Sequence, residues 1–81
     1  MNKTELINQW NMKCNKHLIG KTIKNVRYMT DEELQEHYWD KRPLIIFFTD
    51  GTYMYSSMDD EGNDGGSLFT SIDELQIIPT I

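Results

Sequence analysis

The chain has 81 residues, of which 38% are hydrophobic and 26% charged, and its formal net charge at pH 7 is −5. This composition excludes a disordered chain, and no apolar run approaches the roughly 20 residues that span a bilayer. The acidic balance argues against general nucleic-acid binding, which needs many cationic contacts with phosphates. We expect one domain over residues 1–81, with an N-terminal helix over 1–19 and a β-rich core over 20–81.

Residues 3–17 have the pattern of an amphipathic helix, because apolar side chains recur at three- and four-residue spacing around Trp10. Thr4 is the predicted N-cap, and the helix is expected to end by Gly20. The apolar stripe of this helix has to cover another part of the chain. We therefore expect the helix to pack on the sheet.

Residues 21–29 predict the first strand. Ile23 and Val26 are three residues apart, so strict alternation fails within this strand. An extra residue that interrupts the alternation is typical of a β-bulge. The sequence therefore predicts a bulge between these two apolar positions.

A short helix over residues 31–37 follows the first strand. Thr30 and Glu33 have the spacing of a capping box, in which each side chain satisfies the backbone amide of the other. We expect Leu34 to point inward, and Tyr38 is a further candidate for an inward position.

A hairpin is the strongest prediction in the middle of the chain. Residues 44–48 are all apolar and predict a strand that is buried on both faces. The Asp50-Gly51 pair readily takes the positive φ angles of a tight turn. In the returning strand, Tyr53 and Tyr55 are two residues apart and are expected to share a face.

An acidic glycine-rich segment, residues 59–66, has four acidic residues and three glycines and no side chain suited to a core. It does not match a calcium loop of the EF-hand type, because the required sixth and twelfth positions hold Asp64 and Thr70. Three alternatives stay open: the carboxylates hydrogen-bond the segment's own amides, face a partner protein, or hold a weakly bound cation. Its predicted binding residues are Asp59, Asp60, Glu61, Asn63, Asp64, Gly65 and Gly66.

The last third of the chain predicts two short strands, over residues 67–70 and 75–78, with a single turn capped by Ser71 between them. Together with the earlier elements this is an α+β fold. We expect a strongly curved antiparallel sheet of four or five strands with the N-terminal helix packed on it. Near-closure into a small Sm-like barrel is the more specific form of this prediction.

Trp39 and Arg42 form a second candidate site, since both residue types are enriched at the centres of protein interfaces. The alternative is structural: Trp39 closes the core below the short helix while Arg42 pairs with a carboxylate of the acidic glycine-rich segment. Such a pair would join the two candidate regions into one site.

Catalysis finds little support in the sequence. His17 and His37 have no nucleophile in a recognisable context, and Cys14 shares a helix face with apolar residues. Cys14 and His17 supply two metal ligands at most, which is too few for structural zinc. We expect a non-enzymatic protein with no cofactor and no metal.

The distribution of charge and cysteine bears on partners and compartment. Residues 1–27 have six basic residues and one acidic residue, whereas residues 28–81 have two basic and twelve acidic residues. This asymmetry predicts internal pairing, steering of a basic partner, or head-to-tail association of two copies. A single cysteine and an N-terminus without an apolar signal region predict a cytoplasmic protein.

Several of these features together resemble a small family of uncharacterised bacterial and phage proteins. The resemblance covers roughly residues 18–79 and is most specific in the acidic glycine-rich segment. It also includes Met29 to Glu33, Trp39 with Arg42 and Pro43, and Asp50 to Thr52. It implies a compact stand-alone domain of a phage or mobile element that binds a host factor, and no established activity.

The sequence therefore predicts a protein-interaction module. The predicted contact residues are Trp39, Arg42, Tyr53 and Tyr55, together with the acidic glycine-rich segment. Two alternatives are a small-ligand or nucleotide-sequestering oligomer, with a pocket between subunits, and an acidic mimic of nucleic acid. We expect no membrane partner.

Overall fold

A computed structural model describes residues 2–57 and 66–81 of the chain. Within them the chain forms two α-helices, five β-strands and one 3₁₀ helix. In chain order these are α1 (Lys3–Leu18), β1 (Ile23–Tyr28), α2 (Asp31–Glu36), β2 (Leu44–Phe48), β3 (Tyr53–Ser56), β4 (Leu68–Thr70), the 3₁₀ helix (Asp73–Leu75) and β5 (Ile77–Ile78).

The five strands form one antiparallel sheet in the order β1-β2-β3-β4-β5, so that each strand pairs with its neighbour along the chain. The prediction of an α+β domain with an antiparallel sheet is confirmed. The sheet is open, with β1 and β5 at its two ends. The more specific prediction of a barrel is therefore not confirmed.

The core lies on both faces of the sheet, since β2 is buried on both sides. Ile45 and Phe48 have opposite parity in β2 and are 3% and 6% exposed. Leu75 of the 3₁₀ helix is 1% exposed, and its carbonyl accepts a hydrogen bond of 2.6 Å from the Thr70 hydroxyl. Thr70 pairs with Met54, and Met54 pairs with Ile46, which lies on the same face of β2 as Phe48. The 3₁₀ helix therefore covers the face of the sheet on which Phe48 lies.

Helix α1 begins two residues earlier than its predicted cap implies. Asn2 is the N-cap, and its side chain accepts a 2.8 Å hydrogen bond from the Glu5 amide. The prediction of Thr4 as N-cap is wrong, because Thr4 already lies inside the first turn. The helix ends at Leu18, before Gly20 with its φ of 86°, as the sequence predicts.

Helix α1 has no buried residue among its sixteen. Its backbone lies near the 3₁₀ helix, where His17 Nε2 lies 3.4 Å from Glu74 Oε2. The molecule measures 40 × 32 × 19 Å with a radius of gyration of 13.9 Å, against about 12 Å for a compact domain of this length. The helix thus packs against the rest of the chain with half-buried side chains and no fully buried one.

Helix α2 forms at its predicted start. The Thr30 hydroxyl accepts from the Glu33 amide at 3.2 Å, and the Glu33 carboxylate accepts from the Thr30 amide at 2.8 Å, which completes the capping box. Leu34 is half-buried. Tyr38 is 94% exposed, so the inward position for which it was a candidate is wrong.

The β-bulge and the tight turn are both confirmed. The register of β1 against β2 shifts between Ile23 and Asn25. Gly51 has a φ of 90° in the turn between β2 and β3. The Asp50 carboxylate accepts from the Thr52 amide and hydroxyl and pairs with the Lys21 ammonium, which together hold the pKa of Asp50 well below its usual range.

Ser71 does not cap a turn. Its hydroxyl oxygen accepts a 2.8 Å hydrogen bond from the Tyr53 amide, and the N-cap of the 3₁₀ helix is Ile72, without a side-chain hydrogen bond. The prediction of a Ser71 cap is wrong, because β3 lies close enough to take this oxygen as a partner for its own first amide.

Candidate functional site: an aromatic surface on one face of the sheet

Strand register brings aromatic side chains together on one face of the sheet. Phe47 lies directly opposite Tyr53, and Tyr55 lies directly opposite Phe69. Directly opposed residues share a face, and so do residues two apart in one strand. The set is completed by two rings after α2, and we call it the aromatic surface: His37, Trp39, Phe47, Tyr53, Tyr55 and Phe69.

The rings on the strands form a continuous row. The centroids of Phe47 and Tyr53 are 5.9 Å apart, those of Tyr53 and Tyr55 6.2 Å, and those of Tyr55 and Phe69 5.6 Å. These separations lie in the range in which aromatic pairs attract beyond simple burial. Tyr53 and Tyr55 are stacked at an interplanar angle of 17°, as their predicted common face requires.

The turn after α2 adds the two remaining rings. Trp39 lies 6.2 Å from Tyr55 and 6.4 Å from Phe69, centroid to centroid, and stacks on His37 at 4.9 Å. His37 is exposed and Trp39 is half-buried. Trp39 therefore covers part of the sheet, which agrees with the alternative that Trp39 has a structural role. Part of its ring is still presented to solvent.

Arg27 and Glu33 close one end of the aromatic surface. The guanidinium lies 4.9 Å from the Phe47 ring centroid and makes two hydrogen bonds to the Glu33 carboxylate, at 2.7 and 3.2 Å. The Arg27 guanidinium, followed by the Thr30 amide, lowers the pKa of Glu33 from 4.5 to about 2. Arg27 is not among the site residues predicted from the sequence.

The hydroxyl at the centre of the aromatic surface keeps its proton at neutral pH. Burial raises the pKa of Tyr55, and the neighbouring Tyr53 raises it further. Tyr53 is 38% exposed at the rim. Tyr55 thus presents a neutral phenol to this surface.

Arg42 anchors the start of α2. Its guanidinium donates to the Met29 carbonyl at 3.0 Å and to Asp31 Oδ1 at 2.5 Å. The predicted partners of Arg42 in the acidic glycine-rich segment lie outside the described residues, so that pair stays a prediction. Within the described chain, Arg42 belongs to the base of α2, and the arginine that contacts the aromatic surface is Arg27.

Residues 59–65 of the acidic glycine-rich segment lie outside the described residues, and with them the predicted binding residues Asp59, Asp60, Glu61, Asn63, Asp64 and Gly65. Its attachment points are described. The Ser57 amide donates to the Ser67 carbonyl at 2.6 Å, next to the Ser56–Leu68 pair of the sheet. A Cβ at Gly66 would lie 2.9 Å from Ser57 Oγ, so a glycine suits this close approach.

A shallow concavity of about 310 Å³ lies at the Arg27 end of the sheet. It is lined by Lys24, Asn25, Arg27, Phe47, Phe48 and Gly51. Its volume is at the lower limit of small-ligand sites. Among residues 2–57 and 66–81, no three His, Cys, Asp or Glu side chains are grouped so as to hold a metal ion.

Comparison of the chain with protein-family models, with curated proteins and with solved structures finds no match. The resemblance to bacterial and phage proteins stays a prediction. None of the helices in the described part of the chain combines the length and apolar composition that crossing a bilayer requires.

Proposed function

We propose that this chain is a non-enzymatic protein-interaction domain that binds a basic segment of a partner protein. The contact surface is the aromatic surface, and the acidic glycine-rich segment that joins β3 to β4 supplies charge. Trp39, Tyr53 and Tyr55 contribute contact area, while the carboxylates contribute orientation and a faster association rate.

The observation that carries the proposal is the aromatic row itself. Six rings lie within 6.4 Å of a neighbouring ring, centroid to centroid, and Tyr53 and His37 at its rim are exposed. Tyr and Trp combine large rigid contact area with a small loss of side-chain entropy, which is why they dominate interface hot spots. A surface of this kind on a small domain fits a binding role.

The charge near the aromatic surface favours a basic partner. The acidic glycine-rich segment has four acidic residues and begins three positions along the chain from Ser56, the last residue of β3. Exposed Glu36 and Asp40 flank the turn that supports Trp39. Lysine and arginine side chains interact favourably both with carboxylates and with aromatic faces.

Fluorescent peptides in three matched sets test this function. The sets share length and apolar content and differ only in having Lys and Arg, Ser, or Asp and Glu at the variable positions. We expect the basic set alone to bind, with affinity that falls as salt is raised from about 50 to 300 mM. Tyr53→Ser should weaken binding about tenfold, and Asp59→Asn with Asp60→Asn should remove much of the salt dependence.

Tyr28→Ser is the matched control, since Tyr28 is 62% exposed on the opposite face of the sheet. It should bind the peptides as the unaltered protein does. Equal binding by the three sets, or equal losses for Tyr28→Ser and Tyr53→Ser, would contradict the proposal.

The concavity at the Arg27 end supports a second candidate, the binding of a small anionic aromatic ligand such as a nucleotide. Lys24 and Arg27 supply positive charge there and Phe47 supplies a ring. Arg27 is already engaged by Glu33 in a two-bond ion pair, which ranks this function second. Titration with ADP should perturb the Asn25 and Phe47 amide resonances if it is correct, and Lys24→Ala should abolish the effect.

The acidic mimic of nucleic acid ranks third. Two carboxylates of α2, those of Asp31 and Glu33, are neutralised by arginines, and α1 adds cationic side chains.

The free, half-buried thiol of Cys14 supports placing the protein in the cytoplasm. A phage or mobile-element setting rests on the resemblance, and self-association rests on the charge asymmetry of the chain.

A further inference from the structure

Tyr38 occupies a backbone position that suits glycine. Its φ of 57° is left-handed, the only positive φ of a non-glycine residue in the described part of the chain. Tyr38 follows the C-cap of α2: its amide donates to the Gln35 carbonyl at 3.1 Å and the Trp39 amide donates to the Leu34 carbonyl at 3.2 Å. This pair of bonds is the Schellman motif, in which the left-handed residue is usually glycine.

The tyrosine ring gains nothing from the rest of the described chain in return. It is 94% exposed. Within residues 2–57 and 66–81, its side chain makes no hydrogen bond and no ring contact. A bulky residue in the left-handed region, without packing to offset the conformational cost, is an outlier of the kind that collects at functional positions.

The position of Tyr38 connects this outlier to the aromatic surface. It lies between His37 and Trp39, whose rings stack on one another at 4.9 Å and both lie close to Tyr55. Glu36 and Asp40 are each two positions from Tyr38 along the chain. Both are exposed and have no ion-pair partner among the described residues. An exposed aromatic ring with carboxylates nearby suits a cationic side chain.

We propose that Tyr38 is a contact residue of the binding surface and packs against a Lys or Arg side chain of the bound basic segment. This inference rests on the proposed function and extends it, because it adds a contact in the turn after α2 to the contacts on the sheet. Tyr38 then provides a contact to the partner at a position where glycine would make the fold more stable.

The experiment combines stability and binding for two pairs of variants. Tyr38→Gly should raise the denaturant midpoint of unfolding, whereas Tyr38→Ala, which keeps a Cβ in the left-handed conformation, should not. Both variants should bind the basic peptide set about tenfold more weakly than the unaltered protein. Tyr38→Phe keeps the ring and should bind normally, as should the control Tyr28→Ser.

The outcomes separate this inference from the function on which it rests. Normal binding by Tyr38→Gly, together with loss of binding by Tyr53→Ser, overturns the role of Tyr38 and leaves the proposed function standing. Absence of basic-peptide binding by the unaltered protein overturns both. Loss of binding by Tyr38→Gly with a raised midpoint supports the inference, because a merely structural role would have lowered that midpoint.

Discussion

Glu33 combines two roles in one side chain. Its carboxylate completes the capping box of α2 and also holds the Arg27 guanidinium against the Phe47 ring. A cap alone needs only an oxygen near the Thr30 amide. Because Glu33 also receives Arg27, the start of α2 is tied to β1, and the turn that supports Trp39 is held against the sheet.

The first prediction concerns the acid stability of this contact. The folded-state pKa of Glu33 is about 2, below its usual 4.5, so the ionised carboxylate stabilises the fold fully above about pH 4.5 and this contribution is lost as the pH falls towards about 2. Glu33→Gln should therefore be less stable than the unaltered protein at pH 7 and should show a shallower loss between those pH values. Denaturant unfolding at a series of pH values measures both.

Glu32→Gln is the control for this prediction. Glu32 is exposed and makes no ion pair or side-chain hydrogen bond among the described residues. Its replacement should leave the slope of stability against pH as it is. An identical slope for Glu33→Gln would show that the Arg27 contact does not form in solution.

At the scale of the elements, local signals predicted the turns and caps that depend on neighbouring residues. The capping box of Thr30 and the Asp50-Gly51 turn are both formed, because each involves residues that are within three positions of one another. The cap of α1 was assigned to Thr4 because this residue precedes the apolar pattern. Asn2 competes for the same role and starts the helix two residues earlier.

The second prediction separates these two caps. Asn2→Ala removes the oxygen that accepts from the Glu5 amide and should lower the helicity of α1, at a cost to the helix of about 1 kcal/mol. Thr4→Ala should leave it unchanged or slightly raise it, since alanine favours the interior of a helix. Carbon-13 chemical shifts across α1 report the difference. Equal losses for both variants would restore Thr4 as the cap.

The candidate site was predicted less completely than the fold. Tyr53 and Tyr55 were identified because alternation puts them on one face. Phe47 was missed, because a two-residue Asp50-Gly51 turn would put Phe48 opposite Tyr53, whereas the observed register pairs Phe47 with Tyr53. No local signal places His37 and Trp39 over Tyr55, because their position depends on the left-handed backbone of Tyr38, a residue type that seldom adopts it.

The described part of the molecule divides into a sheet with a core on both faces and a helix without a fully buried residue. Every fully buried residue of the described chain lies in or next to the sheet or in the 3₁₀ helix, and none lies in α1. The apolar pattern of α1 predicted the helix correctly. It could not predict how closely the helix packs, because periodicity gives the direction of a face and not the area that the face buries.

The third prediction follows from this division. Amide hydrogen exchange in α1 should occur through local opening, with a free energy well below that of global unfolding and little dependence on denaturant. Amides in β2, the strand that contains the buried Ile45 and Phe48, should exchange only through global unfolding. Native-state exchange at increasing denaturant measures both classes. A shared free energy for α1 and β2 would show that the helix is an integral part of the core.

The consecutive order of the five strands has a consequence for how the chain acquires its structure. Each strand finds its partner a short distance along the chain, so the search for native pairs closes small loops only. The tight turn before Tyr53 is the natural place for this assembly to begin, and the remaining strands then add outward from it one at a time. Refolding should accordingly be rapid for a β-rich domain, with a nucleus centred on the β2–β3 hairpin.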